Sequence, residues 1–152
     1  MRLDSLNLQL LRLIQTNNRL STEQMGNQIG LSATAVQRRI KDLRNSGIIR
    51  KEVAVLDTIA VGGFVTIIVD VTIKQGGLQN LEVFKNTMLD CLHVQQCYYV
   101  TGKNDFIIII TIKNMLEYEK LTRKLFLSND NIQKFNSTVV MENVKVGLNI
   151  PI

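Results

Sequence analysis

The chain has 152 residues, 45% of them hydrophobic, which can bury a core and allows one ordinary domain or two small ones. Residues 1–52 hold nine Lys/Arg and four Asp/Glu, whereas residues 53–152 hold nine of each, so the net charge of +5 lies entirely in the first third. This split favours two domains. There is no long uncharged apolar run, and Arg2, Asp4, Arg12 and Arg19 interrupt the leucines near the start. We therefore expect neither a signal peptide nor a membrane span, and we expect the protein to lie in the cytoplasm.

Cys91 and Cys97 are the two cysteines, and His93 is the single histidine. With so few ligands, neither a zinc site nor a disulfide framework is expected, and we interpret both cysteines as buried thiols. The sequence therefore predicts no metal and no cofactor.

The first predicted helix runs from Met1 to Asn17 and is amphipathic. Its apolar residues recur at i, i+4, i+7 and i+8, and Asp4 supplies a negative charge near its N-terminus. This helix completes a three-helix unit with the two that follow.

Two consecutive helix starts lie between Ser21 and Gly47. Ser21 is an N-cap with Gln24 at the capping-box position, and Gly30 ends that helix by taking the left-handed conformation. Ser32 then caps the next helix, and Gly47 closes it. Such a helix pair with a short turn is typical of a helix-turn-helix.

The second helix of this pair carries both a core face and a basic face. Val36, Ile40 and Leu43 recur at i, i+4 and i+7 and form the buried face. A basic surface beside a capped helix N-terminus suits DNA, because neutralised phosphates release counterions. The alternative is an ordinary solvated helix face. The predicted DNA-binding residues share this helix: Ser32, Thr34, Gln37, Arg38, Lys41 and Arg44.

The segment Ile48–Leu56 is predicted to be a strand that leads out of the DNA-binding unit. Its first basic residues, Arg50 and Lys51, are interpreted either as a wing that touches backbone phosphate or as a solvated turn.

The second half predicts the order strand, helix, strand, strand, helix, strand. The predicted strands are Val65–Ile73, Val94–Thr101, Phe106–Ile112 and Gln133–Glu142, and Gln75–Gly77 breaks the chain after the first strand. The first predicted helix buries Leu81, Phe84 and Met88. The second begins at the N-cap Asn114 and buries Tyr118, Leu121 and Leu125. This is the ferredoxin-like βαββαβ order, an antiparallel sheet with both helices on one face.

The predicted division of the whole chain is a winged-helix-like helix-turn-helix domain (1–50), a linker strand (51–62) and a ferredoxin-like effector-binding and oligomerisation domain (63–152), which gives an α+β fold.

The strand Phe106–Ile110 is apolar on both faces, yet the helices can cover only one face of the sheet. We expect a second copy to cover the other face through Ile68, Ile107 and Ile109, giving a homodimer or larger assembly. The alternative is that the tail or the linker folds over it. A two-fold dimer would suit a roughly palindromic DNA site.

The chain resembles the Lrp/AsnC family, the leucine-responsive or feast/famine regulators of bacteria and archaea, over almost its full length. The residues that carry the resemblance are Leu3-Asp4, Gly30-Leu31-Ser32, Val36 to Ile40, Leu43, Gly47-Ile48-Ile49, Leu56-Asp57, Gly62, Val94, Cys97-Tyr98, Val100-Thr101-Gly102, Asp105-Phe106, Tyr118, Thr138 and Lys145. The resemblance implies a sequence-specific DNA-binding transcriptional regulator with a C-terminal module for ligand sensing and oligomerisation. It also implies dimers assembled into octamers, with double-stranded DNA as partner.

Four positions depart from the family pattern: Asn7 replaces an acidic residue, Met25-Gly26 replaces a Leu-Ala pair, and Thr58 replaces proline. Gly26 costs about 1 kcal/mol relative to Ala unless a close approach requires it. Arg39 lies at the edge of the buried face, so we predict that it pairs with Asp4 in a structural role.

The resemblance further implies that a small effector, often an amino acid, binds at the Gly-x-x-Asp loop where dimers meet. The predicted effector residues are Thr101, Gly102, Asp105 and Thr138. Asp105 offers a carboxylate to an ammonium group, and amides near Gly102 can meet a carboxylate. Equally, Gly-x-x-Asp forms ordinary hairpin turns.

Two other functions compete with an effector-gated regulator. Sirohaem decarboxylases are enzymes that look like this family, but they use His and Arg residues in a pocket, and this chain offers only His93. We therefore expect that this protein is not an enzyme. The other rival is an architectural DNA-binding protein without an effector.

Overall fold

The computed structural model describes residues 3–74 and 78–152, which form two compact units. The first unit is Met1–Val55 together with Lys145–Ile152, and the second is Leu56–Val144. The first contains three helices and the second a four-stranded antiparallel sheet with its own helices. The predicted α+β class, with a helix-turn-helix followed by a ferredoxin-like module, is confirmed.

The first unit consists of α1 (Ser5–Thr16), α2 (Thr22–Ile29) and α3 (Ala33–Asn45). Side chains from all three helices meet in one core: Leu10, Met25, Val36 and Ile40, with Leu13, Ile14, Leu20, Ile29, Leu31 and Ile49 packed against it. The predicted first helix began at Met1, but Met1 and Arg2 lie outside the described residues. The helix starts at Ser5 because the Asp4 side chain caps it by accepting from Asn7 N.

The ends of α2 and α3 follow the sequence signals. Ser21 Oγ accepts from Gln24 N at 3.1 Å, and Gln24 Oε1 accepts from Ser21 N at 2.8 Å, so the capping box is complete. Gly30 has φ 73°, a left-handed conformation that avoids a penalty only without a Cβ. Ser32 Oγ accepts from Ala35 N at 3.3 Å and caps α3. The predicted start and stop residues are confirmed.

The C-terminal segment Lys145–Ile152 lies against α1, which differs from the predicted division at residue 63. The Gln15 side chain accepts from Ile150 N at 2.8 Å and donates to Ile150 O at 3.2 Å. Asn149 Nδ2 donates to Gln15 O at 3.1 Å, and Arg12 Nε donates to the Ile152 carbonyl. Backbone polar groups of an extended tail need partners, and α1 supplies them.

The prediction of a strand at Ile48–Leu56 is wrong for the single chain. Residues 48–49 form a bend, residues 50–57 have no regular secondary structure, and a turn follows at residues 58–62. The segment alternates like a strand, but no described strand lies beside it to pair with its backbone.

The second unit contains β1 (Val65–Ile73), β2 (Val94–Tyr99), β3 (Phe106–Ile112) and β4 (Ile132–Val139) in the order β2-β3-β1-β4. All neighbouring pairs are antiparallel, and Val69 lies opposite Ile108 and Ser137. The predicted strands match except at their ends. The predicted break at Gln75–Gly77 lies outside the described residues.

The helices of this unit are α4 (Leu78–Leu89) and α5 (Met115–Thr122), and α5 runs into a π-helical turn at Arg123–Leu127. Both helices pack on the same face of the sheet, in a core that includes Phe84, Met88, Phe106, Ile108 and Tyr118. The opposite face carries Ile68, Ile107 and Ile109, which are only partly buried within the chain. This open face is the feature that the sequence predicted.

Cys91 is partly buried and Cys97 is exposed. The prediction of two buried thiols is therefore wrong for Cys97, because β2 is an edge strand of the sheet. Among the described residues, no group of three or more His, Cys, Asp and Glu could hold a metal ion. No helix within residues 3–74 and 78–152 has the length and hydropathy needed to cross a bilayer.

Candidate DNA-binding and effector sites

The outer face of α3 presents polar and basic side chains opposite its buried face. Val36, Ile40 and Leu43 are buried, as the 3.6-residue period requires. The exposed residues are Ser32, Thr34, Gln37, Arg38, Lys41 and Arg44. All six predicted DNA-binding residues are thus brought together on one accessible surface.

Arg39 does not belong to that surface, because it links α3 to α1. Its Nη1 donates to Asp4 Oδ2 at 2.7 Å and to Asn7 Oδ1 at 2.9 Å. The predicted Arg39–Asp4 pair is present. Asn7, which replaces the family's acid, still serves as an acceptor, and its side chain is buried. The hydrogen bond from Asn7 N and then that from Arg39 hold the pKa of the Asp4 carboxyl below its ordinary value.

Arg44 points to a partner that the sequence reasoning missed. Its Nε and Nη2 donate to the two carboxylate oxygens of Glu52, each at 3.0 Å. This two-pronged geometry is the strongest form of Arg–carboxylate pair. The only sequence signal was an acid within the basic run that follows the helix. Arg44 is therefore already paired in the free protein.

The Gly-x-x-Asp loop lies between β2 and β3, and Gly102 has φ 124°. Asp105 N donates to Val71 O at 2.9 Å, and Asp105 Oδ2 accepts from Ile73 N at 2.8 Å. One carboxylate oxygen of Asp105 thus ties the loop to the end of β1. The other accepts no hydrogen bond from the described residues.

Thr138 lies away from the other three predicted effector residues within one chain. Thr138 is opposite Ile68 on β1, whereas Asp105 bonds Val71 and Ile73, on the far side of β1 and further along it. Strand spacings put the two residues about 10 Å apart across the sheet and about 13 Å apart along the strands. Thr101, Gly102 and Asp105 are therefore brought together, and Thr138 is not.

Two family models match the chain: an AsnC-type helix-turn-helix domain at residues 3–44 and an Lrp/AsnC ligand binding domain at residues 66–150. The chain belongs to the Lrp/AsnC family. The HTH-type transcriptional regulator y4tD of Sinorhizobium fredii is 42% identical over 152 residues, covering 100% of this chain and 90% of that protein. The leucine-responsive regulatory protein of Escherichia coli K12 is 26% identical and covers 94% and 87%.

Solved structures of Lrp/AsnC regulators have the same fold. An AsnC family transcriptional regulator from Agrobacterium tumefaciens has a TM-score of 0.89 at 25% identity, covering 98% of this chain and 97% of that one. A transcriptional regulator from Neisseria meningitidis, solved in complex with L-Met, has a TM-score of 0.90 at 24% identity, covering 99% and 97%.

This Lrp/AsnC protein is a DNA-binding transcriptional regulator that combines a helix-turn-helix with a ligand-binding domain. The two relatives named above carry the names of regulatory proteins.

Proposed function

We propose that this regulator binds a roughly palindromic duplex site through the exposed face of α3, in the cytoplasm, and that a small effector bound by its second unit changes that binding. The observation that carries the proposal is the capped helix α3, whose buried face is fixed in a core while its outer face stays polar and basic. A helix N-terminus with such side chains suits the major groove and the adjacent phosphates.

The side chains on that face differ in the part of the DNA that each can bind. Gln37 and Arg38 carry planar groups able to make two hydrogen bonds to one base edge, as Gln does to adenine and Arg to guanine. Ser32 and Thr34 lie in the first turn and approach bases or nearby phosphates. Lys41 is a single exposed charge and binds backbone phosphate.

The regulator is proposed to act as a homodimer that assembles further, to an octamer. The open face of the sheet carries Ile68 on β1, which lies directly opposite Ile109 on β3. Ile107 lies on β3 as well, two residues before Ile109. Removing these partly exposed side chains from water favours association at about 25 cal/mol per Å². A second copy of the same sheet presents a complementary apolar surface.

The proposed effector is an amino acid. The free Asp105 carboxylate oxygen suits an ammonium group, and the backbone beside Gly102 suits a carboxylate. The related Neisseria meningitidis regulator was solved with L-Met, which supports this class of ligand. Because Thr138 is remote from Asp105 in one chain, the site requires a second copy if Thr138 takes part.

The decisive experiment is to bind the protein to random genomic fragments at several salt concentrations, with and without a mixture of amino acids, and to sequence the retained DNA. A palindromic site whose enrichment changes with the mixture supports the whole proposal. Asp105→Asn should keep the enriched site and lose the response, while Lys120→Gln, a charge change on α5, should keep both.

Two comparisons on α3 test the division of roles. Arg38→Ala should relax the sequence preference, because a base contact is lost. Lys41→Ala should weaken binding to all sequences alike and flatten the salt dependence by about one unit per copy. Equal losses on enriched and random DNA for Arg38→Ala would contradict its role in base reading.

An architectural role without an effector is the second candidate. The observation that favours it is the hydrogen bond from Ile73 N to Asp105 Oδ2, which gives Asp105 a structural role in the absence of any ligand. Salt-sensitive binding without enrichment of any site, and without response to amino acids, would establish this function instead.

A further inference from the structure

The six residues from Gly47 to Glu52, which follow α3 and its C-cap Ser46, are named here the anchored segment. Gly47 has φ 72° and turns the chain back on the helix. The amides of Ile48 and Ile49 both donate to Leu43 O, each at 3.1 Å, and the Ile49 side chain packs against the core of the first unit. The start of the segment is therefore fixed to α3.

The other end of the anchored segment is fixed by Glu52. Its carboxylate binds the Arg44 guanidinium through two hydrogen bonds of 3.0 Å, and Arg44 lies in the last turn of α3. Exposed single ion pairs contribute little, but two parallel bonds define an orientation as well as a contact. The segment is thus held at both ends to the last turn of α3, through Leu43 and Arg44.

Arg50 and Lys51 lie between the two anchors, and both are exposed. Neither forms an ion pair with any residue in the described part of the chain. By contrast, Arg39 and Arg44 each have a carboxylate partner. Charge that is already neutralised within the protein displaces few counterions from DNA, whereas unpaired charge displaces them fully.

We propose that Arg50 and Lys51 form a second phosphate-binding patch beside α3, and that Arg44 is a positioning residue that holds this patch through Glu52 instead of binding phosphate itself. This inference rests on the proposed DNA-binding role of α3. Holding the segment at both ends lowers the entropy that Arg50 and Lys51 lose when they bind a phosphate backbone.

The test is the slope of log K against log salt for the full-length protein on one duplex that it binds. Arg50→Gln and Lys51→Gln should each flatten the slope by about 0.9 per copy of the chain bound, while the order of preference among sequences stays the same. Arg50→Lys keeps the charge and should keep the slope.

The double variant Arg44→Gln/Glu52→Gln removes one charge of each sign, so the net charge is unchanged. If Arg44 only positions the segment, this variant binds all sequences more weakly but keeps the wild-type slope. A slope flattened as much as that of Lys41→Gln would show that Arg44 binds phosphate and would overturn its positioning role.

Lys41→Gln separates failure of this inference from failure of the proposed function. If Lys41→Gln flattens the slope and both Arg50→Gln and Lys51→Gln leave it unchanged, the second patch does not exist although α3 binds DNA. If the wild type shows no salt-dependent binding, both proposals fall. Far-ultraviolet circular dichroism equal to the wild type confirms that each variant is folded.

Discussion

Gly26 lies inside α2, where Ala would ordinarily be the better helix former by about 1 kcal/mol. The structure gives a reason for glycine. A Cβ at this position would lie 2.3 Å from Leu31 O and 3.3 Å from the Leu31 carbonyl carbon. We therefore expect Gly26→Ala to destabilise the first unit despite its helix propensity.

The size of the effect follows from the overlap. Ordinary contact begins near 3.4 Å, so the Leu31 carbonyl must move by roughly 1 Å. Forced shifts of packed backbone cost about 1–3 kcal/mol. The same movement strains the bond from Leu31 N to Gly26 O, now 3.0 Å, which is worth about 1 kcal/mol. These costs exceed the gain in propensity, and the expected net loss is about 1–3 kcal/mol.

The assay can isolate the first unit, because every Phe and Tyr lies between residues 64 and 135 and the chain has no Trp. Near-ultraviolet circular dichroism therefore follows the second unit alone, and amide hydrogen exchange in α2 and α3 follows the first. Gly26→Ala should speed exchange in those helices and leave the near-ultraviolet transition unchanged.

Asn27→Ala is the matched control, because Asn27 is the next residue of α2 and is exposed. It should gain roughly 0.5 kcal/mol from propensity alone. If Gly26→Ala is as stable as the wild type or more stable, the Leu31 carbonyl moves away from the added Cβ at little cost in free energy, and the reasoning is refuted.

Three further changes test contacts seen here. Ser21→Ala should cost about 1 kcal/mol in the first unit by removing the α2 cap, while Ser21→Asp should cost little, as measured by amide exchange. Tyr118→Phe should cost about 1 kcal/mol, because its hydroxyl lies 2.6 Å from Ser137 Oγ; if Tyr118→Phe costs as much in a Ser137→Ala background, the two are not coupled. The pKa of Asp4 is lowered in the folded protein, by the backbone amide that it caps and by Arg39, so its contribution to stability is present above pH 3.8 and is lost as pH falls through the folded pKa. In Asp4→Asn the urea midpoint of unfolding should decrease less than in the wild type as pH falls over that range. An unchanged dependence of the midpoint on pH would contradict this role.

Local signals predicted most of the fold. Caps at Ser21 and Ser32 and stops at Gly30 and Gly47 are short-range events between residues three to five apart, so they can be found in the sequence. The alternation of β1 and β3 likewise follows from which side chains face a core. The predicted strand at Ile48–Leu56 failed because pairing needs a second strand, which alternation alone cannot supply.

In the candidate sites, too, some contacts could be predicted from the sequence and others required the structure. Arg39 could be assigned to Asp4 because its position on α3 placed it at the buried edge, but the part played by Asn7 required coordinates. Glu52 was missed because its bond to Arg44 depends on the chain reversing after α3. The grouping of Thr138 with Asp105 came from a family resemblance, which does not say whether such residues meet within one chain.

The docking of residues 145–152 on α1 has a consequence for biosynthesis. The ribosome makes α1 early, yet the segment that satisfies Gln15 emerges only after the whole of Leu56–Val144. Gln15 and Ile150 are 135 residues apart in the chain, so at about 5–20 residues per second this delay is roughly 7–27 seconds. The DNA-binding unit is thus started first and completed only after the effector-binding unit, and a fragment ending at Val55 would present α1 without the segment that covers it.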